Sequence, residues 1–412
     1  MKSDRMPLWK IWTVCLCLTG CQFVASESDC LYPIREGRSY GFVNTNGTTV
    51  IPPQFAYAMK FSEGLAAINV GGTQGRRDMP SDGKWGFINR QGQVVINPKF
   101  ESPPTSAAPY MPDQYGRIRH DGYVFSEGLA AVVKDGKWVY IDHDGLINIP
   151  DVNSPLSFDA ARTFRDGLAN VMVNGRWGYM DRYGQFVIQP QFLFPADFQE
   201  GYALVVTQDK NRKLDWIVIN QTGKVCHAEQ RVVTNFYDGI AAVMGDFRKV
   251  NESSSDRLQF WFMDSAGIRF PEEPQFDDVG HFGGGLCPVL IGSEASQELY
   301  SYKYELIRTA KRIGGKWGYV RRDGSLAIVP AFSAARSFSE GLAAVRNEQQ
   351  LWAYMDLSGA YLTNFEFRYA SDFDTCGIAT VQLGPSHNEF DGYFAFLDQS
   401  GEIIWIEKDL PY

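Results

Sequence analysis

Positive charge is in short supply in this chain, which carries 39 Lys and Arg against 48 Asp and Glu over 412 residues, a net charge of −9. No basic face can be picked out of it, and its field repels phosphate. That excludes a nucleic-acid binder and any simple attraction to anionic lipid. Histidine is scarce too: His120, His143, His227, His281 and His387 are scattered, with no H-E-x-x-H or H-x-x-x-H pair to hold a metal. There is no G-x-x-x-x-G-K-[ST] phosphate loop. The glycines of "HFGGGL" at 281 have no G-x-S-x-G companion and so make no hydrolase oxyanion loop. The cysteines show no C-x-x-C spacing, which rules out a zinc ribbon or a thioredoxin-type motif. We therefore expect no enzyme and no cofactor.

What is present begins with a leader. "MKSDRMPLWK" supplies Lys2, Arg5 and Lys10, and "IWTVCLCLTG" is an apolar run too short to span a bilayer. It closes on Leu18-Thr19-Gly20-Cys21, which resembles the bacterial lipobox, where a signal peptidase cuts before a cysteine that has received a lipid on its sulfur. The resemblance implies a signal peptide over 1–20, lipidated Cys21 as the first mature residue, and a tether over 21–38. Gln22 is compatible with transport to an outer membrane, facing either the periplasm or the cell surface. Of the seven cysteines, Cys15 and Cys17 leave with the leader. Cys30, Cys226, Cys287 and Cys376 remain, with three pairings open to them in an oxidising compartment. A role as small buried apolar residues is equally open.

Two phrases then recur down the chain. The first, an aromatic, two residues, glycine and small apolar residues, reads "FSEGLAAI" at 61, "FSEGLAAV" at 125, "FRDGLANV" at 164, "FQEGYALV" at 198 and "FYDGIAAV" at 236. It continues as "FGGGLCPV" at 282, "FSEGLAAV" at 338 and, one residue longer, "FDTCGIATV" at 373. The second is aromatic-Gly-aromatic-apolar-Asp/Asn-x-x-Gly. Its first aromatic falls at Tyr40, Trp85, Trp138, Trp177, Trp216, Phe260, Trp317, Trp352 and Phe394, with a glycine seven residues on each time. Val139, Ile217, Trp261 and Ala353 replace the glycine of the pair in four copies.

With Lys84-Trp85-Gly86, Arg176-Trp177-Gly178 and Lys316-Trp317-Gly318, this pattern resembles the bacterial WG-repeat (KWG-repeat) proteins, a family defined by its repeat and carrying no shared catalytic set. The repeat itself reads as three antiparallel strands. Asp135-Gly136, Asn174-Gly175, Asp82-Gly83 and Gly314-Gly315 accept φ > 0 at a type I′ hairpin. Asp/Asn-x-x-Gly makes the next turn, and a closing proline such as Pro98 or Pro190 stops the third strand. Trp85 and Phe87 share one face of their strand, and the missing side chain at Gly86 leaves either a slot for an aromatic of an adjacent repeat or a bulge.

We expect an all-β chain of about nine such meanders over 39–405, with a tail over 406–412. Neighbours must stack to bury a face. Nine units exceed the usual blade number and the spacings are irregular, so an open solenoid or superhelix is expected, with β-propeller closure as the alternative. One short helix is expected within 293–313, where Leu299, Tyr302 and Leu306 fall at spacings of three and four.

The acids at the third place of the first phrase (Glu63, Glu127, Asp166, Glu200, Asp238, Glu340) are the most tempting chemical set. Being equivalent by repetition, they lack the two differently tuned carboxylates that catalysis needs. We expect them to accept N–H bonds in their own turns or to pair with bases such as Lys84 and Lys137. "DHDG" at 142 reads as a turn and not as a calcium loop. The partner contact is expected on the 293–313 insert, through Tyr300, Tyr302, Tyr304, Arg308, Lys311 and Arg312. The function expected is a non-catalytic, lipid-anchored cell-envelope protein binding a protein or glycan. The alternative is an envelope glycan hydrolase, which would gain if carboxylates without repeat equivalents, such as Glu294 and Asp391, met in one cleft.

Overall fold

A computed structural model describes residues 30–73, 79–103, 122–150, 157–208, 214–227, 231–232, 234–244, 260–271, 276–296, 300–302, 305–307, 311–384 and 393–407. The b and c strands are short apolar runs, such as Leu129–Lys134 with five successive buried residues, strand d alternates, and no helix occurs among the described residues. The strands group into nine antiparallel sheets in chain order, one for each copy of the second phrase, and a small two-stranded ribbon. We letter the strands of a sheet a to d.

Sheet 1 holds b Leu31–Glu36, c Ser39–Asn44 and d Thr49–Phe55. Sheet 2 runs a Tyr57–Ala58, b Leu65–Val70, c Lys84–Asn89 and d Val94–Phe100. Sheet 3 is Phe125–Ser126, Leu129–Lys134, Lys137–Ile141 and Ile147–Ile149. Sheet 4 is Ala160–Arg165, Leu168–Val173, Arg176–Asp181 and Phe186–Phe192. Sheet 5 has b Tyr202–Gln208, c Leu214–Asn220 and d Val225–Cys226. Sheet 6 is Arg231–Val232, Ile240–Met244, Phe260–Asp264 and Arg269–Phe270. Sheet 7 is Asp278–Val279, Leu286–Ser296, Lys311–Arg321 and Leu326–Phe332. Sheet 8 has a Ala334–Ala335, b Leu342–Arg346 and c Trp352–Asp356. Sheet 9 is Tyr369–Ala370, Ile378–Leu383, Tyr393–Asp398 and Ile403–Ile406. The repeat is thus a meander of up to four strands rather than three. Strand b of sheet 1 already begins at Leu31, inside the stretch read as a tether.

The sheets are the blades of a closed nine-bladed β-propeller, and the open solenoid expected from the sequence is corrected. The decisive observation is that the contacts joining consecutive blades recur between the last blade and the first. The glycine of the c–d turn packs on strand d of the blade before: a side chain at Gly92 would meet Ile51, one at Gly184 would meet Ile149, and one at Gly223 would meet Ile188. Gly47 of blade 1 meets the backbone of Ile404 in blade 9 in the same way. An aromatic pair also recurs. The ring two residues after the repeat aromatic packs edge-on or tilted against the phenylalanine of the next blade's first phrase, with 4.8–5.1 Å between centroids at seven junctions. At the seam Phe396 meets Tyr32 at 5.3 Å. Cys30, Tyr32, Ile34 and Val43 of the first blade share one buried cluster with Ile378 and Phe396 of the last. The irregular spacing that favoured an open array arises between strands and leaves the blades alike.

The glycine behind the tryptophan admits a backbone and not a neighbour's ring. A Cβ on Gly86 would lie 2.5 Å from the Ile96 oxygen and 2.7 Å from the Pro98 nitrogen. Strand d bulges there: Trp85 pairs with Phe100 and Phe87 with Ile96, leaving three residues opposite one glycine. Gly178 and Gly318 meet the backbones at Ile188–Pro190 and Ile328–Pro330 alike. The bulge reading is therefore the correct one. In the four blades with this glycine (Gly41, Gly86, Gly178, Gly318), strand d has seven residues. Where Val139, Ile217 or Trp261 stands instead, it has three, two and two. Ala353 leaves only two isolated bridges, Met355 with Tyr361 and Trp352 with Phe367. Ala395, a fifth departure that the sequence reading passed over, leaves four residues.

The expected helix is also corrected. The insert continues blade 7 as a β-arm, with b and c paired from Leu286–Arg321 out to Ser296–Lys311 and a further ribbon of Tyr300–Tyr302 against Glu305–Ile307. Spacings of three and four in so short a window do not outweigh a ladder already running. Gly314-Gly315 accordingly lie within this ladder, opposite Ser293 and Gly292, and not at a turn.

Candidate functional site: the loop-bearing face

Because the four strands alternate in direction, each blade sends its a–b and c–d turns to one end of the ring. Its b–c hairpins and d–a crossings go to the other. The two ends differ in kind.

At the first end the turns are uniform. The c–d turn has four residues in seven blades and five in blade 3. Its Asp or Asn accepts two backbone N–H groups, as Asp181 does from Tyr183 and Gln185. Asp142 of "DHDG" does the same from Asp144 and Leu146, so this is turn chemistry. In the a–b turns all six carboxylate residues hold left-handed backbones, φ 50–55°. Such a conformation is uncommon for glutamate and costs about 1 kcal/mol or more.

Four of the six carboxylates bind the glycine N–H of the next blade's turn, and not their own. Gly128 donates to Glu63 at 3.0 Å, Gly167 to Glu127 at 3.1 Å, Gly201 to Asp166 at 3.2 Å and Gly239 to Glu200 at 2.8 Å. The turn serine adds a bond to the next phenylalanine carbonyl: Ser62 to Phe125, Ser126 to Phe164 and Ser339 to Phe373. From the c–d turns, Gln221 reaches back to the Asp166 carbonyl, Arg322 to that of Asp238, and His143 to the Glu63 carboxylate at 3.5 Å. The bases expected to pair with these acids do not. Lys84 faces Glu101 and Lys137 binds Asp159 at 2.8 Å, both at the opposite end. We call this first end the clasp face.

The seam is clasped covalently. Cys376 stands directly before Gly377, the place that Glu63 holds before Gly64, and Cys30 stands before Leu31, as Gly128 does before Leu129. Cys30 and Cys376 form a disulfide across 346 residues, at the place where other junctions have a carboxylate-to-glycine bond. Asp374 beside it accepts the Tyr32 hydroxyl at 2.8 Å and pairs with Lys60 at 3.1 Å. Cys226 and Cys287 are free thiols.

Between the two ends the blades are cemented by buried polar links. Tyr140, Tyr179, Tyr319 and Tyr354 each donate a hydroxyl to the next blade's backbone, at Arg162, Ala196, Arg336 and Ser371. Burial pushes the Tyr140 and Tyr179 hydroxyls well above the usual phenol range. Arg162 lies over Trp177 and faces Asp197 of the next blade; Arg336 lies over Trp352 and faces Asp372 likewise. Such pairing is what a buried guanidinium requires. Trp85, Trp138 and Trp177 are buried, whereas Trp216 is 39% exposed.

At the other end nothing is uniform. The b–c connection has two residues in blades 1, 3 and 4 but thirteen in blade 2, five in blades 5 and 8, fifteen in blade 6 and nine in blade 9; in blade 7 it is the β-arm. In blades 3 and 4 the short hairpin has the expected type I′ backbone, with φ of 52° and 71° at Asp135-Gly136 and 51° and 73° at Asn174-Gly175, whereas in blade 1 only Gly37 of Gly37-Arg38 has a positive φ. An acid just after the phenylalanine that closes the preceding crossing accepts a backbone N–H from the b–c hairpin or the arm in several blades. Glu101 takes the Gly136 N–H, Asp159 that of Asn174 and Asp277 that of Ser293. The sequence reading missed these acids, although their constant place after Phe100, Phe158 and Phe276 was visible. In blade 2, Asp82 takes the Thr73 hydroxyl and N–H, which hold its carboxyl below the usual range.

Four of the six predicted contact residues fall on this loop-bearing face. Tyr300 and Tyr302 pair with Ile307 and Glu305 on the ribbon, and Lys311 and Arg312 with Ser296 and Ala295 on the arm. Tyr304, Arg308 and Cys21 lie outside the described residues. So does Asp391, while Glu294 pairs with Ile313 on the arm, so nothing described brings those two acids together.

A family model described as "WG containing repeat" matches residues 40–73, 85–102, 120–138, 151–177, 177–210, 317–349 and 352–384. These are WG repeats. Between 211 and 316 no segment is matched, yet the ring continues there through blades 5 to 7. No curated protein matches the chain. Among solved structures it is similar to a eukaryotic initiation factor, at 10% identity and a TM-score of 0.52 over 93% of this chain and 96% of that one. It is also similar to the Dos1 propeller, at 10% identity over 84% and 82% of the chains, with a TM-score of 0.30. At such identities the first likeness concerns fold alone.

Proposed function

We propose that this WG-repeat propeller is a non-catalytic cell-envelope lipoprotein, anchored through Cys21, whose loop-bearing face binds an envelope protein or glycan. One observation carries the reading: length variation is concentrated at the b–c and d–a end, where b–c connections run from two to fifteen residues, while the clasp face repeats nearly unchanged and spends its polar groups on joining blades. A scaffold under packing constraint alone has no reason to vary mainly at one end. Loops on a rigid frame are where binding residues collect. The leader ending in Leu18-Thr19-Gly20-Cys21 supports the anchor, and the Cys30–Cys376 disulfide suits an oxidising compartment.

Affinity capture from detergent-solubilised envelope tests the assignment of face. Replacing 295–310 by a short Gly-Ser linker alters the arm and leaves the blades, while Tyr183→Ser alters an 80% exposed clasp-face side chain. The reading expects partner recovery to fall with the first variant and to persist with the second. The reverse pattern contradicts it.

A further inference from the structure

The place where the chain enters the ring has a consequence for the protein's attitude on a membrane. Cys30 precedes strand b of blade 1, and strand b of every blade starts at the a–b turn, on the clasp face. Its bond to Cys376 in the a–b turn of blade 9 fixes that position covalently. Residues 21–29 are nine in number, so even fully extended they reach about 30 Å. We infer that the propeller rides on its membrane with the clasp face toward the lipid and the loop-bearing face, with the β-arm, turned to the aqueous side. This rests on the lipid anchor proposed above.

The geometry supports it from both ends. A path from Cys30 to the far face has to pass strands c and d, about 10 Å, as well as the depth of the blade, which uses up the tether's reach. A strand of six residues such as Leu168–Val173 separates the two faces by about 20 Å. The arm's strands run five residues beyond Ile291–Lys316, out to Ser296–Lys311, carrying it about 16 Å farther from the tether. A partner of the arm therefore approaches from solution or from an opposing surface, and is not a lipid of the anchoring leaflet.

The test uses the full lipidated chain reconstituted in phosphatidylethanolamine–phosphatidylglycerol vesicles with a headgroup-labelled acceptor lipid. In a Cys226→Ser background, a donor dye is placed at Tyr183→Cys in the c–d turn of blade 4, or at Lys134→Cys beside the b–c hairpin of blade 3. Both positions are exposed. Higher energy transfer from position 183 than from 134 is expected; equal or reversed transfer in vesicle-bound protein overturns the orientation while leaving the anchor intact. Flotation with the vesicles is scored first, with Cys21→Ala as control. Failure of the unaltered chain to float, or flotation unaffected by Cys21→Ala, overturns the anchor and the orientation with it.

Discussion

Replacing Gly178 by alanine tests why the repeat needs glycine behind its tryptophan. The new Cβ would meet the Ile188 oxygen at 2.6 Å, the Pro190 nitrogen at 2.7 Å and the Gln189 carbonyl carbon at 2.9 Å. All three are backbone atoms, so no rotamer change relieves the clash, and strand d must retreat by most of an ångström. Retreat loosens the pairs Trp177–Phe192 and Tyr179–Ile188. Overpacking costs about 1–3 kcal/mol, and one ladder hydrogen bond about 1 kcal/mol more, so a loss of about 2–4 kcal/mol is expected. The damage should spread to blade 5, because Gly223 packs on Ile188, and little farther in a nearly one-dimensional array. Hydrogen exchange resolved by peptide is the assay: 186–192 and the blade 5 turn should lose protection while blades 1 and 2 keep theirs. Ala353→Gly is the converse control. Blade 8 lacks the bulged strand, so the change should stabilise nothing and cost up to about 1 kcal/mol in chain entropy. Unchanged melting and unchanged exchange in Gly178→Ala would refute the close-approach argument.

Trp177→Ala removes a fully buried side chain and should cost about 3–5 kcal/mol by thermal or denaturant melting, with partner capture lost only as far as folding is. Tyr140, Tyr179 and Tyr354 have hydroxyls whose pKa is raised by burial. Their stabilisation is complete below the unfolded phenol value near 10 and disappears as pH climbs above it. Absorbance titration should therefore show these phenols ionising only together with unfolding at alkaline pH. Removing the seam disulfide by Cys30→Ser with Cys376→Ser opens a loop of 346 residues in the unfolded chain. The chain-entropy relation gives about 5–6 kcal/mol as the ceiling for that loss. Blades 1 and 9 should gain exchange first, and a uniform change around the ring would argue against a seam.

Much of the blade was legible in the sequence, because it is written by local rules. The glycine seven residues past each repeat aromatic announced a left-handed turn, and Asp135-Gly136 announced its hairpin. What was not legible is what depends on the neighbouring blade. Glu63 looks like a solvated acid until Gly128, 65 residues on, is placed beside it. Cys376 looks like an isolated thiol until the ring brings Cys30 to the position a carboxylate clasp would occupy. Closure was misjudged because loop lengths were weighed as though they changed the packing of blades, when they lie at one end of it. The insert was misjudged because Leu299, Tyr302 and Leu306 matched a helical spacing while Tyr300-Ser301-Tyr302 already alternated with the period of a strand.

The closed ring is the claim on which the two faces, the seam and the orientation all depend. Peptide mass spectrometry of the oxidised protein, alkylated before digestion and left unreduced, tests it most directly. A peptide containing Cys30 linked to one containing Cys376, with Cys226 alkylated, is the result the ring predicts. Alkylated Cys30 and Cys376, or either one bound to Cys226 or Cys287, would contradict it.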